Sequence, residues 1–269
     1  MEMSVIFSTY NSEEWLEKVI IGFSVQTFKN FEIIIADDGS RDTTKELIDR
    51  LKAEIDIPII HVWHPDNGFQ KSQILNKAIV ASTTDYLVFT DGDCIPRNDF
   101  MELHDKFRRK GSFLSGGYFK LPMDISKLIT YENIISQKCF NLNWLKSKGL
   151  TASFKNIKFS KSKWLSSFLN TITPTKPSWN GHNASGWKSD LLAINGFDER
   201  MQYGGQDREL GERLVNFGIK PIQIRYSTLC LHLDHPRGYA TRESINKNKK
   251  IRQETREQNK KWTDFGVIK

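Results

Sequence analysis

Through the first third of the chain, short apolar runs alternate with stretches whose apolar residues recur at helical spacing. Ser4–Phe7 is an apolar strand candidate. Trp15, Val19 and Phe23 then fall four apart and give a helix one apolar face, with Asn11 as the expected N-cap and Glu14 three residues on as its capping-box partner. Phe31–Ala36 is a β-branched run of the kind that forms a strand buried on both faces. Asp42–Leu51 reads as helix, Ile59–Trp63 as strand, Lys71–Ser82 as helix and Tyr86–Phe89 as strand. This alternation predicts an α/β fold: a mostly parallel sheet with helices on both faces. Ligands on such sheets bind beyond the carboxyl ends of the strands. The polar clusters Thr9-Tyr10-Asn11, Asp37-Asp38-Gly39-Ser40, Asp66-Asn67-Gly68 and Asp91-Gly92-Asp93 all fall at those ends.

Two common nucleotide-binding signatures are missing. No GxGxxG follows the first strand and no GxxxxGK[ST] occurs, which disfavours dinucleotide and P-loop folds. Glycine- and proline-containing stretches near Gly111–Pro122 and Thr173–Gly186 are the expected boundaries. The expected organisation is a ligand-binding half over 1–110, a second half over 111–236, and a basic tail over 237–269.

Composition narrows the class further. The chain has 269 residues, with enough apolar and aromatic content for a sizeable core. Met1–Tyr10 reads as a strand and not as a secretory leader, and no apolar run approaches the roughly 20 residues that span a bilayer. Cys94, Cys139 and Cys230 are widely spaced and form no CxxC pair, which suits reduced thiols in a cytoplasm. The net charge of +7 is uneven. No acidic residue occurs from Asn133 to Lys188, where lysines interleave with Phe140, Trp144, Phe154, Phe159, Trp164 and Phe168. A second basic stretch runs from Arg237 to Lys261. One reading of this pattern is a solvated lysine-rich face over inward-packed aromatics. The other is contact with an anionic membrane or glycolipid, peripheral to the inner face of the membrane; nucleic acid is the least favoured partner.

The stretch TDGDCIP at residues 90–96 carries the sharpest chemistry. It ends an apolar strand with two carboxylates, Asp91 and Asp93, separated by one glycine. Side chains at i and i+2 of an extended chain point to one side, so the pair can share a hard divalent ion such as Mg²⁺ or Mn²⁺, which in turn holds phosphate oxygens. Asp-Gly is also an ordinary turn pair. Position at the strand's carboxyl end is what favours a site.

Four segments of the first half, STYN at Ser8–Asn11, IIIADDGSRDTT at Ile33–Thr44, DNGFQKSQILNKAI at Asp66–Ile79 and VFTDGDCIPRNDF at Val88–Phe100, resemble family 2 glycosyltransferases of the GT-A fold. In the second half, WNGHNASGWKSDLLAINGFDE at Trp179–Glu199 and YGGQDRELGERLVNFG at Tyr203–Gly218 are similar to the acceptor half of β-1,4-galactosyltransferases and chondroitin-polymerase-type enzymes, and LHLDHPRG at Leu231–Gly238 resembles the family's closing histidine strand. The resemblance covers roughly residues 3–238 with motif order kept. It implies a Rossmann-like nucleotide-sugar half and a smaller acceptor half. Thr9 and Tyr10 would line the nucleoside pocket, and either Asp37 or Asp38 would meet the base or ribose. Asp91 and Asp93 would match the DxD element, with Asp93 on the metal. Asp207 would be the general base, and His232 would complete the metal shell, with His235 as the fallback. Asn183 and Trp187 are candidate borders of the sugar or acceptor pocket, as are Tyr203 and Gln206. Lys71 could reach a phosphate or be a solvated lysine.

The implied reaction is inverting transfer from a nucleotide sugar, a UDP-sugar favoured, to a surface-glycan, lipopolysaccharide or capsule acceptor in polysaccharide biosynthesis. A carboxylate within hydrogen-bond reach of the acceptor hydroxyl can take its proton. Asp207 also opens an expected helix with Leu210, Leu214 and Phe217 on one apolar face and Gly218 at its end, so an N-terminal aspartate favoured by the helix dipole is the plainer alternative. For His232, between Leu231 and Leu233, the plainer alternative is a packed strand histidine; as a ligand, imidazole would favour Mn²⁺ over Mg²⁺. The chain departs from the family pattern at three places: Leu75-Asn76 stands for Arg-Asn, Gln206 for the glutamate of GGED, and Tyr203 for a tryptophan. Two other classes stay open: a phosphatase-type hydrolase with Asp91 as nucleophile, and a non-catalytic sugar-nucleotide-binding module.

Overall fold

The computed structural model describes residues 1–236 and 240–268. The first half runs β1 (Met3–Thr9), α1 (Glu13–Ser24), β2 (Phe31–Asp37), α2 (Asp42–Glu54), β3 (Ile59–Trp63), α3 (Lys71–Ala81), β4 (Tyr86–Asp91), β5 (Cys94–Pro96) and α4 (Phe100–Phe107). The second half adds β6 (Ser112–Ser115), β7 (Gly117–Lys120), α5 (Met123–Leu128), α6 (Tyr131–Ile135), α7 (Leu142–Ser147), α8 (Lys163–Ile172), β8 (Ala184–Trp187), α9 (Lys188–Ala193), α10 (Gln206–Phe217), β9 (Lys220–Gln223), β10 (Leu229–His232) and α11 (Arg242–Glu257).

A seven-stranded sheet has the order β3-β2-β1-β4-β8-β6-β9. Its β3-β2-β1-β4 portion is parallel, β8 is antiparallel to both neighbours, and β9 is parallel to β6. The expected mostly parallel α/β sheet is therefore what forms, and β8, β6 and β9 carry it across the 110/111 boundary. Apolar clusters fill both faces. One holds Phe7, Phe23, Phe31 and Phe100, the other Phe89, Phe113, Trp179 and Phe197. β1 and β2 are buried along nearly their whole length, as the runs of β-branched residues require. A small second sheet, β5-β10-β7, branches from the first just past β4.

Several local expectations change. Asn11 does not cap α1: it adopts φ 44°, and its Oδ1 accepts from the backbone N of Arg41 at 3.0 Å, tying the end of β1 to the start of α2. Ser12 takes the N-cap position, and Glu14 pairs with Lys18 instead. Trp15, Val19 and Phe23 are buried as their spacing predicted. On α10, Leu210 and Leu214 are buried but Phe217 is 43% exposed. The inner face of that helix is completed by Glu209 and Arg213, whose guanidinium donates to Glu209 and to the carbonyls of Ile194 and Gly196. A buried pair with all its partners supplied in this way fixes α10 against the turn after α9. The basic tail is in part helical: α11 packs on α10, with Arg252 Nη2 2.6 Å from Glu212. The tail's expected start at Arg237, and Gly238 of the HLDH segment, lie outside the described residues.

Candidate active site

Strand register assembles the site. In the parallel ladders Thr9 stands beside Asp37, and Ser8 beside Asp91, so three carboxyl ends finish level. The chain then leaves β4 through Gly92, whose N donates to Ser8 O at 3.0 Å. A Cβ at Gly92 would lie 2.8 Å from that carbonyl, so the close crossing needs glycine. Asp93 follows at the junction of the two sheets. β5 pairs antiparallel with β10, which sets His232 opposite Cys94, and the N of Leu233 donates to Asp93 O at 2.9 Å. Two backbone ladders thus bring a histidine from far along the chain to the second aspartate of the DGD stretch.

The histidines are held in a particular tautomer. His232 Nδ1 lies 2.8 Å from Leu233 O, and His235 Nδ1 lies 2.8 Å from Pro236 O. A carbonyl only accepts, so each Nδ1 carries the hydrogen and each neutral ring presents the lone pair of Nε2. Those Nε2 atoms lie 3.9 Å and 2.9 Å from Asp93 Oδ2. A lone pair facing a carboxylate oxygen is repulsive unless a proton or cation lies between them. The donor set, one carboxylate and two imidazoles, suits a first-row divalent ion such as Mn²⁺. Cys94 also offers its Sγ within 4.8 Å of the Asp93 and His232 ligand atoms. Burial pushes its thiol well up, and its Sγ donates to Asp93 Oδ1 at 3.4 Å, so it supports the carboxylate and offers no thiolate.

Asp207 arrives from the other side. Gly204 and Gly205, at φ 114° and 91°, make the tight turn that opens α10 and point its first turn into the cleft. The Asp207 Oδ2 accepts from Gly181 N at 3.1 Å. Lys71, the first residue of α3, reaches across so that its Nζ lies 2.5 Å from Asp91 Oδ1. Burial alone would raise Asp91, but the Lys71 ammonium outweighs it and holds the carboxyl at about 2. Asp207 goes the other way: burial, reinforced by the Asp91 charge, raises it despite the opposing pull of Lys71. Two nearby carboxylates are therefore pushed apart, one firmly ionised and one made more basic, as a general base requires. Lys71 is neither solvated nor free to meet a phosphate unaided; it is an ion-pair partner.

These groups line one cleft of about 1070 Å³. Thr9, Tyr10, Asp38, Lys71, Asp91, Asp93, Tyr203, Gln206, Asp207, His232 and His235 all face it. Asp38 accepts from His64 Nε2 at 2.7 Å and from Gln70 N at 3.0 Å, while Tyr10 donates to Asp66 at 2.8 Å. Gln206 Oε1 accepts from Gly204 N at 3.1 Å and so braces the glycine turn.

Three expected site residues lie elsewhere. Asp37 is buried beneath the cleft, accepting from Ser40 N and facing His61 Nε2, each at 2.8 Å, so it builds the DDGS turn and leaves Asp38 as the aspartate that faces the cleft. Asn183 is fully buried, donating to Gly117 O at 2.7 Å and lying 3.0 Å from His104 Nε2, so it is a structural hub with no surface for a sugar. Trp187 sits at the opposite end of the sheet, paired with Tyr86, its Nε1 donating to Arg109 O at 2.9 Å and its face covered by Lys110. The Leu75-Asn76 departure is explained by packing: Leu75 is buried, and Asn76 bonds Phe197 and Glu199. The sequence reading missed His182 and Tyr118. Their rings pack at 4.0 Å in the cleft, and burial holds His182 down at about 4. The signal was present, because His182 lies inside the NGHN segment, one residue from the glycine that meets Asp207.

Comparison with known proteins gives the class. Residues 4–115 match the family model described as Glycosyl transferase family 2, so this stretch of the chain is a family 2 glycosyltransferase domain. A curated relative, the uncharacterized glycosyltransferase YfnE of Bacillus subtilis, is 24% identical over 92% of this chain and 69% of its own length. Among solved structures, S. aureus TarS 1–349 in complex with UDP-GlcNAc aligns with a TM-score of 0.62 at 14% identity, over 94% of this chain and 65% of that one. Mannosyltransferase PcManGT from Pyrobaculum calidifontis, in complex with GDP-Man and Mn²⁺, aligns with a TM-score of 0.57 at 18% identity, over 88% of this chain and 58% of that one. At these identities the two structures establish the fold, a GT-A arrangement. The chain spans less than two thirds of either.

Proposed function

We propose that the protein is an inverting, metal-dependent glycosyltransferase that moves a sugar from a nucleotide sugar, a UDP-sugar favoured, to a hydroxyl of a surface glycan, lipopolysaccharide or capsule precursor. One observation carries this reading: a cleft at the carboxyl ends of β1 and β4 brings an ionised Asp91, an Asp93–His232–His235 donor cluster suited to a cation and a base-poised Asp207 together. Thr9, Tyr10 and Asp38 would receive the nucleoside, and Asp91 the ribose or the diphosphate end. Asp93 and His232, with His235 beside them, would hold Mn²⁺, which when bound neutralises the charge that develops on the departing diphosphate. Asp207, held by Gly181 N, takes the proton from the acceptor hydroxyl as it attacks the anomeric carbon from the face opposite the diphosphate, so configuration inverts. Lys71 keeps Asp91 charged and restrains the rise at Asp207. Tyr203, packed edge-on against Phe69 at 6.0 Å, and Gln206 would border the acceptor. This use of the second half follows its likeness to the β-1,4-galactosyltransferase and chondroitin-polymerase type.

The test is release of nucleoside diphosphate from a panel of UDP-, GDP- and dTDP-sugars with Mn²⁺. Turnover of at least one, lost in Asp93→Ala, supports the reading. No turnover of any, with transfer of phosphate to Asp91 from a phosphate ester, would replace it with the hydrolase alternative.

Peripheral membrane contact belongs to the same proposal. Among the described residues no helix is long and apolar enough to cross a membrane. On α8, Trp164 and Phe168 stack at 5.6 Å while 74% and 47% exposed, and Ile172 and Phe154 are 55% and 77% exposed. Lys155, Lys161 and Lys163 flank them. Exposed aromatics ringed by lysines suit an anionic bilayer surface. Co-sedimentation with phosphatidylglycerol vesicles at low salt, reduced in Trp164→Ser/Phe168→Ser, is the expected result; equal sedimentation of wild type and variant would remove this part.

A further inference from the structure

Next to the donor cleft lies a second cavity of about 540 Å³, walled by α10, α11 and the loop after α8. Lys176, Arg208, Arg225, Arg252 and Arg256 face it against one carboxylate, Glu212. Glu212 is already shared, with Arg252 Nη2 at 2.6 Å and Arg256 Nη1 at 3.3 Å. Lys176, Arg208 and Arg225 have no carboxylate partner among the described residues. Nearby, burial holds the Lys158 ammonium down at about 8, with Arg225 adding repulsion. Guanidinium groups present planar pairs of donors that match phosphate and carboxylate oxygens. Among the described residues of the lining Phe113 is the only aromatic one, which leaves little for stacking bases and disfavours a nucleic acid strand.

The cavity is also connected to the chemistry. Arg208 and Arg252 line both it and the donor cleft, and Arg208 directly follows Asp207 on α10. The cavity and the cleft therefore share the first turn of α10, the turn that carries the proposed base. We propose that this cavity binds an oxyanion, a phosphate or carboxylate, on the acceptor glycan and so selects an anionic acceptor whose neighbouring hydroxyl reaches Asp207. The proposal rests on the glycosyltransferase reading and supplies its acceptor class.

The probes are glucose 6-phosphate, glucuronate and glucose, titrated calorimetrically into the full chain with the donor cleft saturated by UDP and Mn²⁺. At least one anionic sugar should bind and glucose should not, and the two anions separate a phosphate site from a carboxylate site. Binding should weaken with added salt. Lys176→Gln/Arg225→Gln, both outside the donor cleft, should weaken it by about tenfold or more while UDP affinity is kept. If the double variant fails to fold, Lys176→Gln alone, on an exposed loop, should weaken it severalfold. Equal binding of glucose, unchanged binding in the variants, or no binding of either anion overturns the proposal. Failure of UDP and Mn²⁺ to bind at all strikes instead at the glycosyltransferase reading, and the same titrations without nucleotide then judge the cavity by itself.

Discussion

Three carboxylates, Asp91, Asp93 and Asp207, act on one ammonium, that of Lys71, and raise it above its ordinary value despite burial. The consequences at this scale are specific. A base must be deprotonated to work, so kcat/KM should fall as pH drops through the pKa of Asp207, which burial raises above its ordinary value. Asp207→Asn should lower kcat by roughly 10²- to 10⁴-fold with UDP affinity unchanged, as checked by initial rates and calorimetry. Lys71→Met removes the group that opposes burial at both Asp91 and Asp207. It should shift the acid limb of the rate profile to higher pH and cost about 1–3 kcal/mol of stability in denaturant titration, the effect of stripping one partner from a part-buried pair. An unchanged profile in Lys71→Met would mean that Asp207 is not the titrating base.

At the scale of elements, α10 and β8 show how positions are set by packing partners distant in sequence. Gly211 of α10 meets Trp179: a Cβ there would lie 2.7 Å from the tryptophan Cβ and 2.9 Å from its backbone N. Gly211→Ala should therefore cost about 1–3 kcal/mol by thermal or denaturant unfolding, although alanine is the better helix former. His104 of α4 is buried between Asn183 and Ser185, and burial holds it down at about 3 against an ordinary 6.5. The unfolded chain binds the extra proton first. The contribution of this neutral histidine is thus complete above about 6.5 and lost as pH falls from there toward about 3. Denaturant midpoints compared at pH about 7 and about 5 should fall for the wild type and fall less for His104→Gln.

These elements also explain what could and could not be read in advance. β3 falls on the segment read as a strand, and the other early strands and helices differ mainly at their ends, because each is encoded by its own residues. Trp187 was misassigned because strand direction is not local. β8 runs antiparallel to β4, so Ala184 stands beside Phe89 near the site while Trp187 stands beside Tyr86 at the far end. Asp37 and Asp38 look alike in a row, and only the parallel register with Thr9 shows which one is turned beneath the cleft. Asn11 has the composition of a cap, yet Arg41, thirty residues away, claims its side chain.

On the scale of the whole molecule, the site exists because two sheets part at Asp93. The parallel sheet delivers Asp38 and Asp91 at its carboxyl edge, the small sheet delivers His232, and α10 closes the third side with Asp207. No single segment contains the site, which is why ordered motifs from both halves pointed to it while their contacts could not be drawn from the sequence. The account's central claim is that Asp93 and the two histidines hold a divalent cation that couples the protein to a nucleoside diphosphate. Calorimetric titration of UDP with and without Mn²⁺, in the wild type and in Asp93→Ala, tests it most directly. UDP should bind the wild type at least tenfold more tightly with Mn²⁺ than without, about 1.4 kcal/mol, and Asp93→Ala should lose that difference while its unfolding midpoint is retained. UDP affinity indifferent to Mn²⁺, or a manganese effect that survives in Asp93→Ala, would contradict it.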